Sequence, residues 1–179
     1  MTLTIRERRG ADIPALAAVL AEQQAATRYP VRWPLPIPVE DFLVRPGEEQ
    51  AWVAELDGRV VGHVAVHTLG GPLREHFVAA VGSEDLAELA VLFVGSDVIG
   101  TGVGGRLHDT AVDWIVASGR RPVLDVVPVH DRAVEVYRHR GWTAVGEVQP
   151  AWLAEDFPSL VLMSLGRGQF PRPAGGTGR

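Results

Sequence analysis

Four glycines within six residues, Gly100, Gly102, Gly104 and Gly105, lie between an apolar run ending at Val94 and the amphipathic stretch Thr101 to Ser118. Backbone N–H groups at such a strand-to-helix junction can close on an anion, and the helix dipole adds partial positive charge there. The chemistry on offer is phosphate binding. Gly100-x-Gly102-x-x-Gly105 also matches a dinucleotide fingerprint, with Asp125 about 20 residues further on. Three features oppose that match. Gly95 to Ile99 separate the first glycine from its strand, the unit follows a hairpin in mid-chain, and Asp125 falls in the middle of its strand. The absence of a GK[ST] sequence excludes a P-loop. A second chemical candidate is Glu88, which interrupts the apolar run LAELAVLFV, where burial would raise a carboxyl pKa. His63 and His67 share one face of a strand at period 2. As a metal pair they have no third ligand, so no metal is expected. With no Cys in the chain, disulfides, thiolate metal sites and cysteine nucleophiles are all excluded.

Several elements must position these groups. Leu3 to Arg8 alternates as a strand, and a helix follows to about Gln24, with Asp12 as its expected cap and Pro14 in its first turn. Residues 25–38 carry four prolines and read as a stiffened loop, and Val39 to Leu43 as a short second helix. Ala51 to Leu56, the Asp57-Gly58 turn and Arg59 to Thr68 form a hairpin, because Asp-Gly supplies the positive φ that a primed turn needs. Residues 69–85 read as irregular, and Leu86 to Val94 as a largely buried strand. Val103, Leu107, Ala111 and Ile115 recur at i+4 and define the buried stripe of the helix Thr101 to Ser118. Then come a strand at Pro122 to Val127, a helix at Asp131 to Arg140, and strands at Trp142 to Val148 and Leu160 to Leu165. Residues 167–179 are rich in Gly, Pro and Arg and are expected to be disordered, leaving 1–166 as the domain.

In this order of elements the chain resembles the GNAT superfamily of acyl-CoA-dependent N-acetyltransferases. Ile99-Gly100-Thr101-Gly102-Val103-Gly104 is similar to that family's [RQ]-x-x-G-x-[GA] pyrophosphate motif, with Ile99 where Arg or Gln is usual. LDVVPVHDRAVEVYRHRGW is similar to the family's second block, with His130 where Asn is common, Ala133 as the small residue, then Tyr137 and Gly141-Trp142. The resemblance implies an α+β fold: a mixed, mostly antiparallel sheet of about seven strands with about four helices, splayed between its fourth and fifth strands. It implies acetyl-CoA as co-substrate, held by Gly100, Thr101, Gly102, Val103, Gly104, Gly105 and His130. The pantetheine arm would pair with Leu92, Phe93 and Val94, and a backbone N–H there would polarise the thioester. Tyr137 would donate a proton to the sulfur, and Glu88 is the first choice of base. Tyr29, Arg32 and Trp33 in the proline loop, with His63 and His67, would line the acceptor groove. Aromatic walls with one Arg suit a small amine carrying an anionic or planar part. Asp125 is expected mainly as a structural hydrogen bonder. The implied reaction is direct attack of a primary amine on acetyl-CoA in a ternary complex. The alternative is a catalytically silent acyl-CoA sensor of the same fold.

The charge balance narrows the partners. The 17 bases are all Arg and are outnumbered by 22 acids, with no basic stripe, which argues against nucleic acid and mildly favours a cationic acceptor. No run approaches the roughly 20 apolar residues of a membrane span, and the N-terminus has no apolar signal core, so the expected setting is cytoplasmic. Exposed strand edges leave room for a homodimer.

Overall fold

The computed structural model describes residues 1–129 and 132–166; the expected disordered tail lies outside them. Its strands are β1 (Leu3–Glu7), β2 (Glu48–Leu56), β3 (Arg59–His67), β4 (Leu86–Val94), β5 (Arg121–Val126), β6 (Trp142–Val148) and β7 (Leu160–Leu165). They form a seven-stranded sheet in the order β1-β2-β3-β4-β5-β7-β6, and only the central β4–β5 pair is parallel. The described helices are α1 (Ile13–Thr27), α2 (Val39–Leu43), α3 (Gly71–Val81), α4 (Val103–Ala117) and α5 (Arg132–His139). The β2–β3 turn has positive φ at both Asp57 and Gly58, as the primed turn requires.

The apolar stripes of the helices sort them onto two faces of the sheet. Val103, Leu107, Ala111 and Ile115 of α4 and Val134 of α5 pack with Leu89, Leu124 and Met163 on one face. On the other face, Leu16 and Leu20 of α1 pack with Leu43, Val53 and Phe93, while Phe77 of α3 packs with Leu86, Val123 and Leu162. Each fully buried Leu or Phe here contributes about 1.5–3 kcal/mol of transfer free energy. α4 lies close on the sheet at Gly62, where an added Cβ would stand 2.9 Å from Leu107 and 3.0 Å from the Phe93 carbonyl oxygen.

Two expectations are corrected. Residues 69–85 are not irregular. Pro72 in the first turn, Leu73, Phe77 and Val81 at i+4 steps, and a left-handed Gly82 at the C-cap define α3. Asp12 does not cap α1 through its side chain; its carboxylate takes two bonds from Arg6, both 2.8 Å, and one from the Arg9 amide at 2.7 Å.

Candidate active site

The β4–β5 ladder runs only through Leu86↔Arg121, Ala87↔Pro122 and Glu88↔Val123. Beyond Glu88, β5 stays with β7 as far as Val126↔Val161 while β4 stays with β3 as far as Val94↔Gly62. The two strands diverge, and the segment of β4 containing Leu92, Phe93 and Val94 is left with an edge that β5 does not pair. At this point two residues of β4, Val91 and Leu92, stand opposite one of β3, since the register passes from His63↔Phe93 to Ala65↔Ala90. Val91 takes φ +52°, a left-handed conformation that costs a β-branched residue about 1–2 kcal/mol.

His63 holds this bulge. Arg8 Nη1 lies 3.1 Å from His63 Nε2, and a guanidinium can only donate, so Nε2 accepts and the ring proton sits on Nδ1. Nδ1–H then donates to the Val91 carbonyl at 2.9 Å. Burial pushes the His63 pKa down to about 3, so the ring is neutral. Both ring nitrogens are thus used inside the fold, and the structure does not bring His63 to the groove. His67 is also buried and its pKa is lowered, chiefly by burial and then by the Arg45 charge; its Nε2 has no partner among the described residues. In the sheet it neighbours Glu88.

At the glycine-rich turn, Gly100 and Gly102 take φ of +80° and +90°, which side chains rarely adopt, and a Cβ on either would meet open space. α4 starts at Val103, and its first backbone bond runs from the Arg106 amide to the Gly102 carbonyl. The amides of Gly102 to Gly105 are therefore the orphan donors of the helix start. The residues fit a diphosphate: open space, left-handed glycines and a helix N-terminus converge. Val94 and Arg140 wall the cradle at Gly104 and Gly105, where a Cβ on Gly105 would collide with the Arg140 guanidinium. Ile99 is exposed beside it. His130 lies outside the described residues.

On the opposite face, α3, the turn after α2 and the β6–β7 loop enclose a cleft of about 630 Å³ whose floor carries Glu88 and Asp125, with Arg45 and His76 on its walls. Burial raises the Glu88 pKa well above the usual carboxylate range, and the neighbouring Asp125 carboxyl adds to the effect. Tyr29 stands at the same centre, pushed up to about 12 by burial, with Arg45, Asp125 and Glu88 as its charged neighbours. Three bonds fix where the chain leaves α1: Gln23 Nε2 and Gln24 Nε2 donate to the Tyr29 and Pro30 carbonyls, and the Tyr29 amide donates to Thr27 Oγ1. Tyr137 comes from α5 and packs against the core of the other face, with Tyr29 and Asp125 among the ionisable groups that act on its hydroxyl. Burial raises its pKa above the ordinary tyrosine value. Its ring packs 5.9 Å from Trp142 and 6.2 Å from His108. Trp142 Nε1–H donates to His108 Nε2 at 2.8 Å, which puts the His108 proton on Nδ1, facing Asp109.

Arg32 and Trp33 line an adjoining compartment of about 500 Å³ with Trp152 and Phe157 from the β6–β7 loop, and the two compartments share Ala151 and Trp152. Glu88, Asp125, Tyr29 and Tyr137 thus converge, Arg32 and Trp33 stand one compartment away, and His63 is sealed in the core. Arg45, His76 and Trp152 are the lining residues that sequence reasoning missed. Arg45 follows α2 in a Pro-Gly turn with no pattern to mark it, whereas His76 was hidden by the missed α3 periodicity. Among the described residues no cluster of metal-ligating side chains occurs, and no helix is long and apolar enough to cross a membrane.

Residues 16–142, well over half of the chain, match the acetyltransferase (GNAT) family. The chain belongs to that family. It is 29% identical over 113 residues to an uncharacterised N-acetyltransferase of Methanocaldococcus jannaschii, a match covering 63% of this chain and 46% of that protein, so the chain spans about half of its relative's length. Its fold is shared with the ribosomal-protein-S18-alanine N-acetyltransferase of Escherichia coli (TM-score 0.66, 15% identity, 92% of this chain and 93% of the other). It is also shared with the PaiA N-acetyltransferase of Thermoplasma acidophilum, solved in complex with coenzyme A (TM-score 0.65, 14% identity, 92% and 99%).

Proposed function

We propose that the protein transfers an acetyl group from acetyl-CoA to a primary amine by direct attack within a ternary complex. The observation that carries this reading is the opening beyond Glu88↔Val123, which has orphan amides at the start of α4 on one side and a carboxyl pair on the other. The amides of Gly102 to Gly105, with Gly100 and Thr101, would hold the diphosphate, and the free edge at Leu92, Phe93 and Val94 would pair with the pantetheine arm. His130 joins them by family resemblance. Acetyl-CoA supplies the thioester-activated acyl group.

The chain's own residues then divide the proton work. Glu88, in its ionised form, takes a proton from the substrate ammonium, and the nitrogen lone pair forms the C–N bond as the C–S bond breaks. Tyr137 gives its hydroxyl proton to the departing sulfur; the nitrogen sheds its second proton as the amide forms, which through water restores Tyr137, and Glu88 returns its own to solvent. Because burial and Asp125 raise the Glu88 pKa, the rate should climb with pH through a range above that of an ordinary carboxylate. Tyr29, Arg32 and Trp33 line the acceptor side. A small-molecule amine and a cytoplasmic setting go with this reading.

The test is thiol release from acetyl-CoA with a panel of amines. Tyr137→Phe should lower kcat by about 100-fold while CoA affinity is retained. CoA binding without turnover of any amine would instead support the silent sensor.

A further inference from the structure

The acceptor's chemical class can be read from Arg45. Its guanidinium sits 4.2 Å over the Phe42 ring, and its Nε donates to the Phe42 carbonyl at 3.0 Å. Phe42 is itself braced edge-to-face by Tyr29 at 6.1 Å. The stem and one edge of the guanidinium are thereby fixed, and among the described residues it makes no ion pair. The Nη groups of a fixed guanidinium suit a planar anion with two oxygens. Glu88 and Asp125 lie on the floor of the same cleft. Neither forms an ion pair with Arg45, and burial together with Asp125 raises the Glu88 pKa. A fixed guanidinium with no ion-pair partner among the described residues, beside a pair of carboxyls that can take an ammonium, is a complementary setting for a zwitterion. Beyond Trp152 the cleft continues into the compartment lined by Trp33 and Phe157, which would take an apolar body.

Resting on the acyl-transfer reading above, we infer that the acceptor is an α-amino acid with a bulky apolar side chain: its ammonium meets Glu88 and Asp125, its carboxylate meets Arg45, and its side chain fills the Trp33/Trp152 compartment. The acidic net charge alone pointed toward a cationic acceptor. The local field at Arg45 points to one that also bears a carboxylate.

The experiment compares L-tryptophan with its decarboxylated counterpart tryptamine and with spermidine, in the parent, Arg45→Gln and Arg45→Lys proteins. In the parent, kcat/KM for L-tryptophan should exceed that for tryptamine by roughly 100-fold, since a site built to bond a polar group discriminates strongly against an analogue lacking it. Arg45→Gln should collapse this ratio to within about threefold, mainly through KM for L-tryptophan, and Arg45→Lys should restore part of it. Equal or faster turnover of tryptamine or spermidine by the parent would overturn the inference, as would an undiminished ratio in Arg45→Gln. Calorimetry of L-tryptophan with protein saturated with desulfo-CoA separates this inference from the reading it rests on. Binding that Arg45→Gln weakens, with no turnover of any amine, would uphold carboxylate recognition and sink acetyl transfer; no binding by the parent would sink the recognition itself.

Discussion

The two halves of the site are built by different means. In the proposed reading the donor half consists of main chain: the left-handed Gly100 and Gly102, the free amides at the start of α4 and the edge of β4 that β5 leaves unpaired. In that reading the acceptor half consists of side chains from four separate segments, Tyr29, Arg45, Glu88 and Asp125, with Tyr137 from α5 between the halves. A backbone cradle depends on conformation and leaves a compact signature, because few residues other than glycine accept φ near +90°. A side-chain cluster depends on tertiary placement, and its members carry no mark of one another.

The largest expected effect breaks the acceptor half alone. Glu88→Gln should lower kcat/KM by roughly 100- to 1000-fold, as loss of a general base does, while CoA affinity stays within about twofold. The same variant should be more stable than the parent at neutral pH. The native pKa of Glu88 is raised, so the native protein keeps a proton that the unfolded chain releases, and the parent loses stability as pH rises from the unfolded value toward the native one. Thermal unfolding of the two proteins should therefore converge below about pH 4, where both states hold the proton, and diverge toward pH 7. Coincident curves at pH 7 would mean that Glu88 is ordinarily ionised.

A smaller effect should break the donor half. Gly102→Val forces a β-branched residue into φ +90° at a cost of about 1–2 kcal/mol. CoA affinity should fall by about tenfold, read by calorimetry, with kcat at saturating CoA reduced far less than in Glu88→Gln. Equal damage to both parameters would show that the two halves are not separable.

This contrast also explains what was legible in the sequence. The hairpin announced itself through Asp57-Gly58, α4 through its i+4 stripe, and β4 through its apolar run, whose bounds Leu86–Val94 agree with the expectation. α3 is masked because Gly70, Gly71 and Pro72 at its start resemble a loop, although Leu73, Phe77 and Val81 keep helical spacing and Phe77 is fully buried. His63 looked like a groove residue by strand parity. Its partners Arg8 and Val91 are remote in sequence, and only tertiary contact reveals that it holds the β4 bulge. Asp125 was expected as a structural hydrogen bonder; its place beside Glu88 follows from the parallel β4–β5 pairing, which no local pattern encodes. Arg45 was invisible for the same reason.

The central claim is that main-chain donors at the start of α4 and along the free edge of β4 hold the coenzyme. Amide hydrogen exchange with and without CoA tests it most directly. The account predicts slowed exchange concentrated in residues 100–106 and 89–94, with little change in the β1–β2 ladder. Unaltered exchange in both segments at saturating CoA, or protection centred elsewhere, would contradict it.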